Sequence, residues 1–175
     1  MITELIKGNR SYRRFHREVP VSLETLKRLV NLARLSASAA NLQPLKYLLS
    51  CEPAGNAAIF SCLAWAGYLK DWPGPAEGER PAAYIVILGD TEISKNFGCD
   101  YGIAAQSILL GARAQELGGC MLGSIQRDRL RQVLNNLVSN AIKFTHEGRI
   151  TVLKPNWHQP FVAARQAKQP CHPGG

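Results

Sequence analysis

The sequence predicts an α+β domain, with several helices around a small central sheet and an atypical segment at its C-terminal end. Three observations carry this. Ala82 to Gly89 is a continuous apolar run containing Ile85, Val86 and Ile87, the pattern of a strand buried on both faces. Asp100 to Leu117 is long, largely apolar and of helical length, which suits a central or interface helix. After Leu134 the composition changes: the chain becomes Asn-rich, then basic, and from Lys154 it has no acidic residue.

In chain order, Ser22 can cap a helix whose apolar positions Leu26, Leu29, Val30 and Ala33 fall at helical spacing. That helix gives way to the small, polar stretch Leu35 to Asn41. Pro44 follows, and Lys46 to Ser50 is a candidate strand. Asp71-Trp72-Pro73-Gly74-Pro75 and the charged residues up to Pro81 mark a long surface loop. Gly118-Gly119 should end the apolar helix, and Cys120 to Ser124 reads as a short strand or turn. An amphipathic helix is expected around Val133, Leu137, Ala141 and Phe144. The stretch from Lys154 to Gly175 has no periodicity and holds four prolines, so it reads as an irregular tail. The organisation expected is thus 1–134, 135–153 and 154–175.

At 175 residues, 46% hydrophobic and 19% charged, the chain can bury a substantial single core. No apolar run approaches the roughly 20 residues of a membrane span, and Met1 to Arg10 lacks a signal-peptide core. A cytoplasmic protein without a membrane partner is expected. The five cysteines show no metal spacing and read as free thiols, so no metal site is expected. Of the net charge of +8, six units come from residue 127 onward, so no basic face supports nucleic-acid binding.

Three stretches could carry chemistry. In Asn9-Arg10-Ser11-Tyr12-Arg13-Arg14-Phe15, guanidinium and hydroxyl groups suit a phosphate and polyol ligand; alone, the stretch also fits a solvated basic turn. In Ser36-Ala37-Ser38-Ala39-Ala40-Asn41-Leu42-Gln43-Pro44, small residues let backbone approach a planar ring, and amides can meet a donor–acceptor edge. A capped helix terminus is the plainer alternative. In Leu117-Gly118-Gly119-Cys120-Met121-Leu122-Gly123-Ser124, the glycines permit close backbone approach or a simple helix cap.

Together, in this order and spacing, the three stretches resemble the nitroreductase family. Its pattern is Arg-Ser-x-Arg, then Ser-x-x-Asn-x-Gln-Pro, then a Gly-rich turn after the central helix. Leu63 to Pro75 and Gly102 to Ser107 add to the likeness, which runs from about Ile6 to Leu134. The resemblance implies a nitroreductase-like FMN-binding fold and a homodimer holding two flavins at its interface. Arg10, Ser11 and Arg13 would hold the phosphate, ribityl chain and pyrimidine edge. Ser38, Asn41 and Gln43 would contact ring and ribityl, and Gly118 and Gly119 would give backbone contacts. It further implies hydride transfer from NADH or NADPH through the flavin to a small-molecule electron acceptor such as a nitroaromatic or quinone. The cofactor carries that chemistry, so no catalytic side chain is required. Tyr68 and Trp72 could cover the ring as substrate-site residues, although packing in the core or loop is the plainer role. Asn9 stands where many members have Arg, and Ala37 where many have Pro.

The C-terminal end departs from this pattern. Arg129 to Thr145, with Gly148 to Val152, resembles the N box of sensor histidine kinases, with Asn140 and Lys143 at the positions that meet magnesium and phosphate there. The Gly-rich loops that complete a nucleotide site in those kinases are missing, so a space-filling helix is the better reading. A junction between two coding sequences is placed at Arg129 to Leu134. Residues Ile150 to Pro155 could replace the family's last strand, with Lys154 as its basic group. The rival to a flavoenzyme is a truncated or chimeric fold that no longer binds flavin.

Overall fold

The computed structural model describes residues 2–65, 67–144, 155–156 and 161–164. Its helices are α1 (Ile2–Gly8), α2 (Leu23–Arg34), α3 (Pro53–Phe60), α4 (Asp100–Ala114) and α5 (Arg127–Phe144). The strands are β1 (Leu45–Ser50), β2 (Tyr84–Asp90), β3 (Gly119–Leu122), β4 (Pro155–Asn156) and β5 (Phe161–Ala164). They form one antiparallel sheet in the order β1-β2-β5-β3, with β4 pairing the far end of β2.

Successive residues of a strand face opposite sides of the sheet, and the strand β2 buries both sides. Ile85 and Ile87 pack with Leu26, Leu29, Ala104, Ala105 and Ile108 of α2 and α4. Tyr84 and Val86 pack with Phe15, Ile59, Leu130 and Leu134, the last three from α3 and α5. The doubly buried strand expected at Ala82 to Gly89 is therefore present, shifted by one or two residues at its ends. Helices cover both faces, and the α+β expectation holds.

Local sequence explains the helix ends. Ser22 caps α2, its Oγ accepting the N–H of Thr25 at 3.1 Å. Pro53 opens α3 in the first turn, where its missing N–H costs nothing. The helix α4 stops at Ala114, earlier than Gly118-Gly119 implied, because Glu116 adopts the left-handed conformation (φ 59°). Between α2 and α4 the close approach falls at Gly111, where a Cβ would overlap a Leu32 methyl.

The stretch Arg129 to Leu134 lies within α5, which also carries the helix expected around Val133 to Phe144. One difference from expectation lies further on. Within the stretch expected to be irregular, Phe161–Ala164 forms the strand between β2 and β3. Of Ile150 to Pro155, the stretch expected to replace the family's last strand, only Pro155 is among the described residues, in β4, and Lys154 lies outside them. Among the described residues no helix is long and apolar enough to cross a membrane, and no metal-ligating cluster is present.

Candidate functional site

The first stretch, Arg10 to Arg13, leaves α1 and runs beside β3. Ser11 and Gly119 form a parallel β-bridge, and the N–H of Tyr12 donates to the Gly119 carbonyl at 3.1 Å. The structure therefore brings the Arg-Ser and Gly-Gly stretches into contact. Gly119 serves here as strand backbone rather than as a helix cap.

The arginines of this segment divide into two groups. Arg14 pairs with Glu79 at 3.7 Å, and Arg17 with Glu77 at 2.9 Å. Arg10 and Arg13 have no carboxylate partner among the described residues: Arg10 donates to the carbonyls of Asn9 (2.9 Å) and Ile6 (3.3 Å), and Arg13 to that of Ser11 (3.1 Å). Two guanidinium groups without a carboxylate partner among the described residues, beside the Ser11 hydroxyl, present donors that suit an anion. The guanidinium of Arg13 also lies 5.4 Å from the ring centroid of Tyr68, which is 67% exposed. Burial pushes the Cys120 thiol up to about 12, and the nearby Arg13 charge offsets only part of that. Trp72 instead packs edge-on against Trp65, at 6.4 Å between centroids, in the core layer under α3 and α5.

The second stretch, Ser38 to Gln43, is a loop with a short 3-10 turn at Ala39–Asn41. Three non-glycine residues, Ala40 (φ 49°), Asn41 (φ 53°) and Gln43 (φ 51°), are left-handed. Each such residue costs on the order of 1–2 kcal/mol and persists only where surroundings over-determine it. The restraint is visible. Ser38 Oγ donates to Asp100 Oδ2 at 2.8 Å and accepts the Gln43 N–H at 3.0 Å, while the Ala39 N–H donates to Asp100 Oδ1 at 3.0 Å. Gln43 Nε2 donates to the Ser36 carbonyl and to Asn41 Oδ1, both at 3.3 Å. In this arrangement Asn41 keeps an amide donor and Gln43 an amide acceptor for a ring edge. The plainer capped-helix reading does not describe this loop.

Sequence reasoning missed Asp100 and the Ser36–Ser107 contact (2.6 Å) that ties the loop to α4. One acid ahead of an otherwise apolar helix was the available signal.

The two halves lie far apart within one chain. Asp100 anchors the loop at the start of α4, whereas a Cβ on Gly8 would meet Arg113 near the end of α4, 2.6 Å from its Nε. At 1.5 Å per residue these ends are about 20 Å apart. The sheet gives a similar figure. Cys120 is level with Tyr84 through Ala163, and Leu45 pairs with Gly89, about 17 Å along β2. Asn140 and Lys143, the N-box-like positions, lie on α5 with side chains outside those described, and residues 145–153 lie outside the description altogether.

Comparison with known proteins agrees with this architecture. No curated protein matches the sequence. Among solved structures, a nitroreductase family protein from Streptococcus pneumoniae TIGR4 is similar with a TM-score of 0.69 and 16% identity, over 100% of this chain and 94% of that one. An FMN-dependent nitroreductase from Clostridium difficile R20291 gives 0.68 and 19%, over 97% and 89%. CLA-ER, an enone reductase of a gut-bacterial fatty acid saturation metabolism, gives 0.72 and 15%, over 99% and 92%. The chain has the nitroreductase fold, and its residues 6–66 match the model of the Nitroreductase family.

Proposed function

We propose that the protein is an FMN-dependent oxidoreductase of the nitroreductase type, using NADH or NADPH to reduce a nitroaromatic, quinone or similar acceptor. The observation that carries this reading is the pair of arginines, Arg10 and Arg13, which have no carboxylate partner among the described residues and flank the Ser11–Gly119 bridge. A phosphate fits their donors, and the amide pair on the Ser38–Gln43 loop fits the edge of a heteroaromatic ring. When bound, flavin supplies the redox chemistry, accepting hydride from the nicotinamide and passing electrons to the acceptor. The chain's own groups bind and orient. Arg10 and Ser11 hold the phosphate and ribityl chain, and Arg13 places a positive charge toward the pyrimidine edge. Tyr68, exposed beside Arg13, is placed to cover the site; Trp72 holds the loop that carries it.

The separation of about 17–20 Å between the two halves also supports a homodimer. A ribityl phosphate is too short to join an arginine pair and a ring loop at opposite ends of α4 in one chain. Each flavin is then held by the arginines of one protomer and the loop of its partner.

The visible spectrum, with and without added FMN, tests the cofactor. A bound flavin spectrum bleached by NADH or NADPH is expected; a colourless protein that takes up no flavin overturns the proposal in favour of a fold that has lost its cofactor. Mixing tests the shared site. An Arg10→Glu/Arg13→Glu variant and an Asn41→Ala/Gln43→Ala variant, each inactive alone, should on co-refolding recover about a quarter of wild-type activity, because half the dimers are mixed and each has one intact site. No recovery counts against the dimer.

A further inference from the structure

We propose that Asp100 is the positioning residue of the ring-contacting loop: its buried carboxylate holds the Ser38–Gln43 loop, with Ala40, Asn41 and Gln43 left-handed, in the conformation that a flavin ring meets. This rests on the function proposed above.

Asp100 is 3% exposed, yet it has no cationic partner among the described residues. A buried carboxylate is retained only where donors replace its water. Here the donors are the Ser38 hydroxyl and the Ala39 N–H. Asp100 also opens α4, where unpaired N–H groups of the first turn favour negative charge. Loop and carboxylate therefore depend on each other. The donors stabilise the charge, and the charge fixes two adjacent residues just before the left-handed segment.

Ser38 carries the restraint onward. The same Oγ that donates to Asp100 accepts the Gln43 N–H, so the carboxylate orients the serine and the serine pins the far end of the loop. Between those two points lie Ala40 and Asn41, neither of them glycine and both left-handed. Asparagine visits that backbone readily, but nothing in the chemistry of Ala40 prefers it. On the next turns of α4, Ser107 reaches Ser36 and fixes the near end. The amides of Asn41 and Gln43 are then presented by α4, with Asp100 as the link.

The test uses the full chain. In Asp100→Ala, the Gln43 amide, which donates to Ser38 and not to Asp100, should exchange its hydrogen about tenfold faster or more, the scale expected for losing a hydrogen bond to a charged group. In Ser38→Ala, the Ala39 amide, which donates to Asp100 and not to Ser38, should accelerate likewise. Both readouts are independent of flavin, and Ser38→Ala keeps the test open should Asp100→Ala fail to fold. With flavin, each single variant should weaken FMN binding by about 10- to 100-fold, and the double variant no further, because the two groups act as one unit. Unchanged exchange at the indirect amide, or additive losses of FMN affinity, overturns the role of Asp100. A wild-type protein that binds no FMN overturns the proposed function instead, while the exchange measurement still decides whether the clamp exists.

Discussion

Gly89 tolerates no side chain, and the reason can be worked into a number. A Cβ there would lie 2.6 and 2.7 Å from Cε1 and Cε2 of Phe97, and nearer still to Cζ. Carbon atoms pack at about 3.5–4.0 Å, so the ring would have to move by about 1 Å. Phe97 is 4% exposed, and Tyr101 packs against it with centroids 5.4 Å apart, which leaves the ring little room to retreat. Two effects oppose each other. Alanine is favoured over glycine inside an element by about 0.5–1 kcal/mol, and overpacking a well-filled core costs about 1–3 kcal/mol. The size of the overlap puts the second ahead, so Gly89→Ala should destabilise by about 1–2 kcal/mol, or about 2–8 °C in Tm for a chain of this length. Urea unfolding at one fixed protein concentration measures it, since association between copies would add to the apparent stability. In a Phe97→Leu background the ring is gone, and the same change should cost less than about 0.5 kcal/mol, a coupling of about 1 kcal/mol. Equal costs in the two backgrounds, or a stabilised Gly89→Ala, would refute the reasoning. The effect should also reach the site. The next residue, Asp90, donates its N–H to the Pro44 carbonyl at 2.7 Å, directly after the Ser38–Gln43 loop.

Three other outcomes are expected. Ser22→Ala removes the α2 cap and should cost about 1 kcal/mol, seen as a lower melting temperature; an unchanged melt would mean that the bond to Thr25 contributes nothing. Stability should fall in alkali, because burial pushes Cys120, Tyr47 and Tyr101 up to about 12, from ordinary values of 9.0 for the thiol and 10.0 for the phenols. The folded state keeps these protons longer than the unfolded chain, so their contribution is intact below pH 9 and is lost as pH rises toward 12. The slope is at most about 1.4 kcal/mol per pH unit for each group, less for the partly exposed tyrosines; a urea midpoint unchanged between pH 8 and pH 11 would contradict it. Ending the chain at residue 160 removes β5 and leaves facing edges of β2 and β3 unpaired, so the shortened protein should aggregate or lose cooperative unfolding; wild-type melting would count against that role for β5.

Elements were legible in the sequence where one physical signal dominated. The strand β2 announced itself because both of its faces are buried, and α2 because a capping serine precedes an apolar stripe. The helix α1 gave no such sign: its seven residues bury none of their number, so no apolar periodicity marks it. In α3, Pro-Ala-Gly-Asn-Ala-Ala-Ile-Phe is small and apolar almost throughout, with a single buried residue, Ile59. The same division runs through the site. Arg10, Ser11 and Arg13 were visible because their side-chain chemistry is the signal. The backbone of Ala40 was not, because an alanine reveals nothing of a left-handed φ imposed by a carboxylate 60 residues away. Asp100 was overlooked because an acid at the start of a helix has an ordinary explanation in the helix dipole.

The strand β5 shows why tertiary context overrode the reading of an irregular tail. Phe-Val-Ala-Ala is four residues long, follows a proline and shows no alternation, so nothing local asks for a strand. The demand comes from the sheet. One edge of β2 is taken by β1, and its other edge and the edge of β3 face each other across one strand's width. A segment antiparallel to both satisfies two rows of backbone groups at once, and the register does so with Val86, Phe161 and Leu122 in line, then Ile85, Val162 and Met121. Backbone, more than a particular sequence, fills such a slot. The consequence reaches the site, because Gly119 pairs with Ala164 on one side and bridges Ser11 on the other. Strand β5 thus sets the position of β3, and β3 sets that of Ser11 between Arg10 and Arg13.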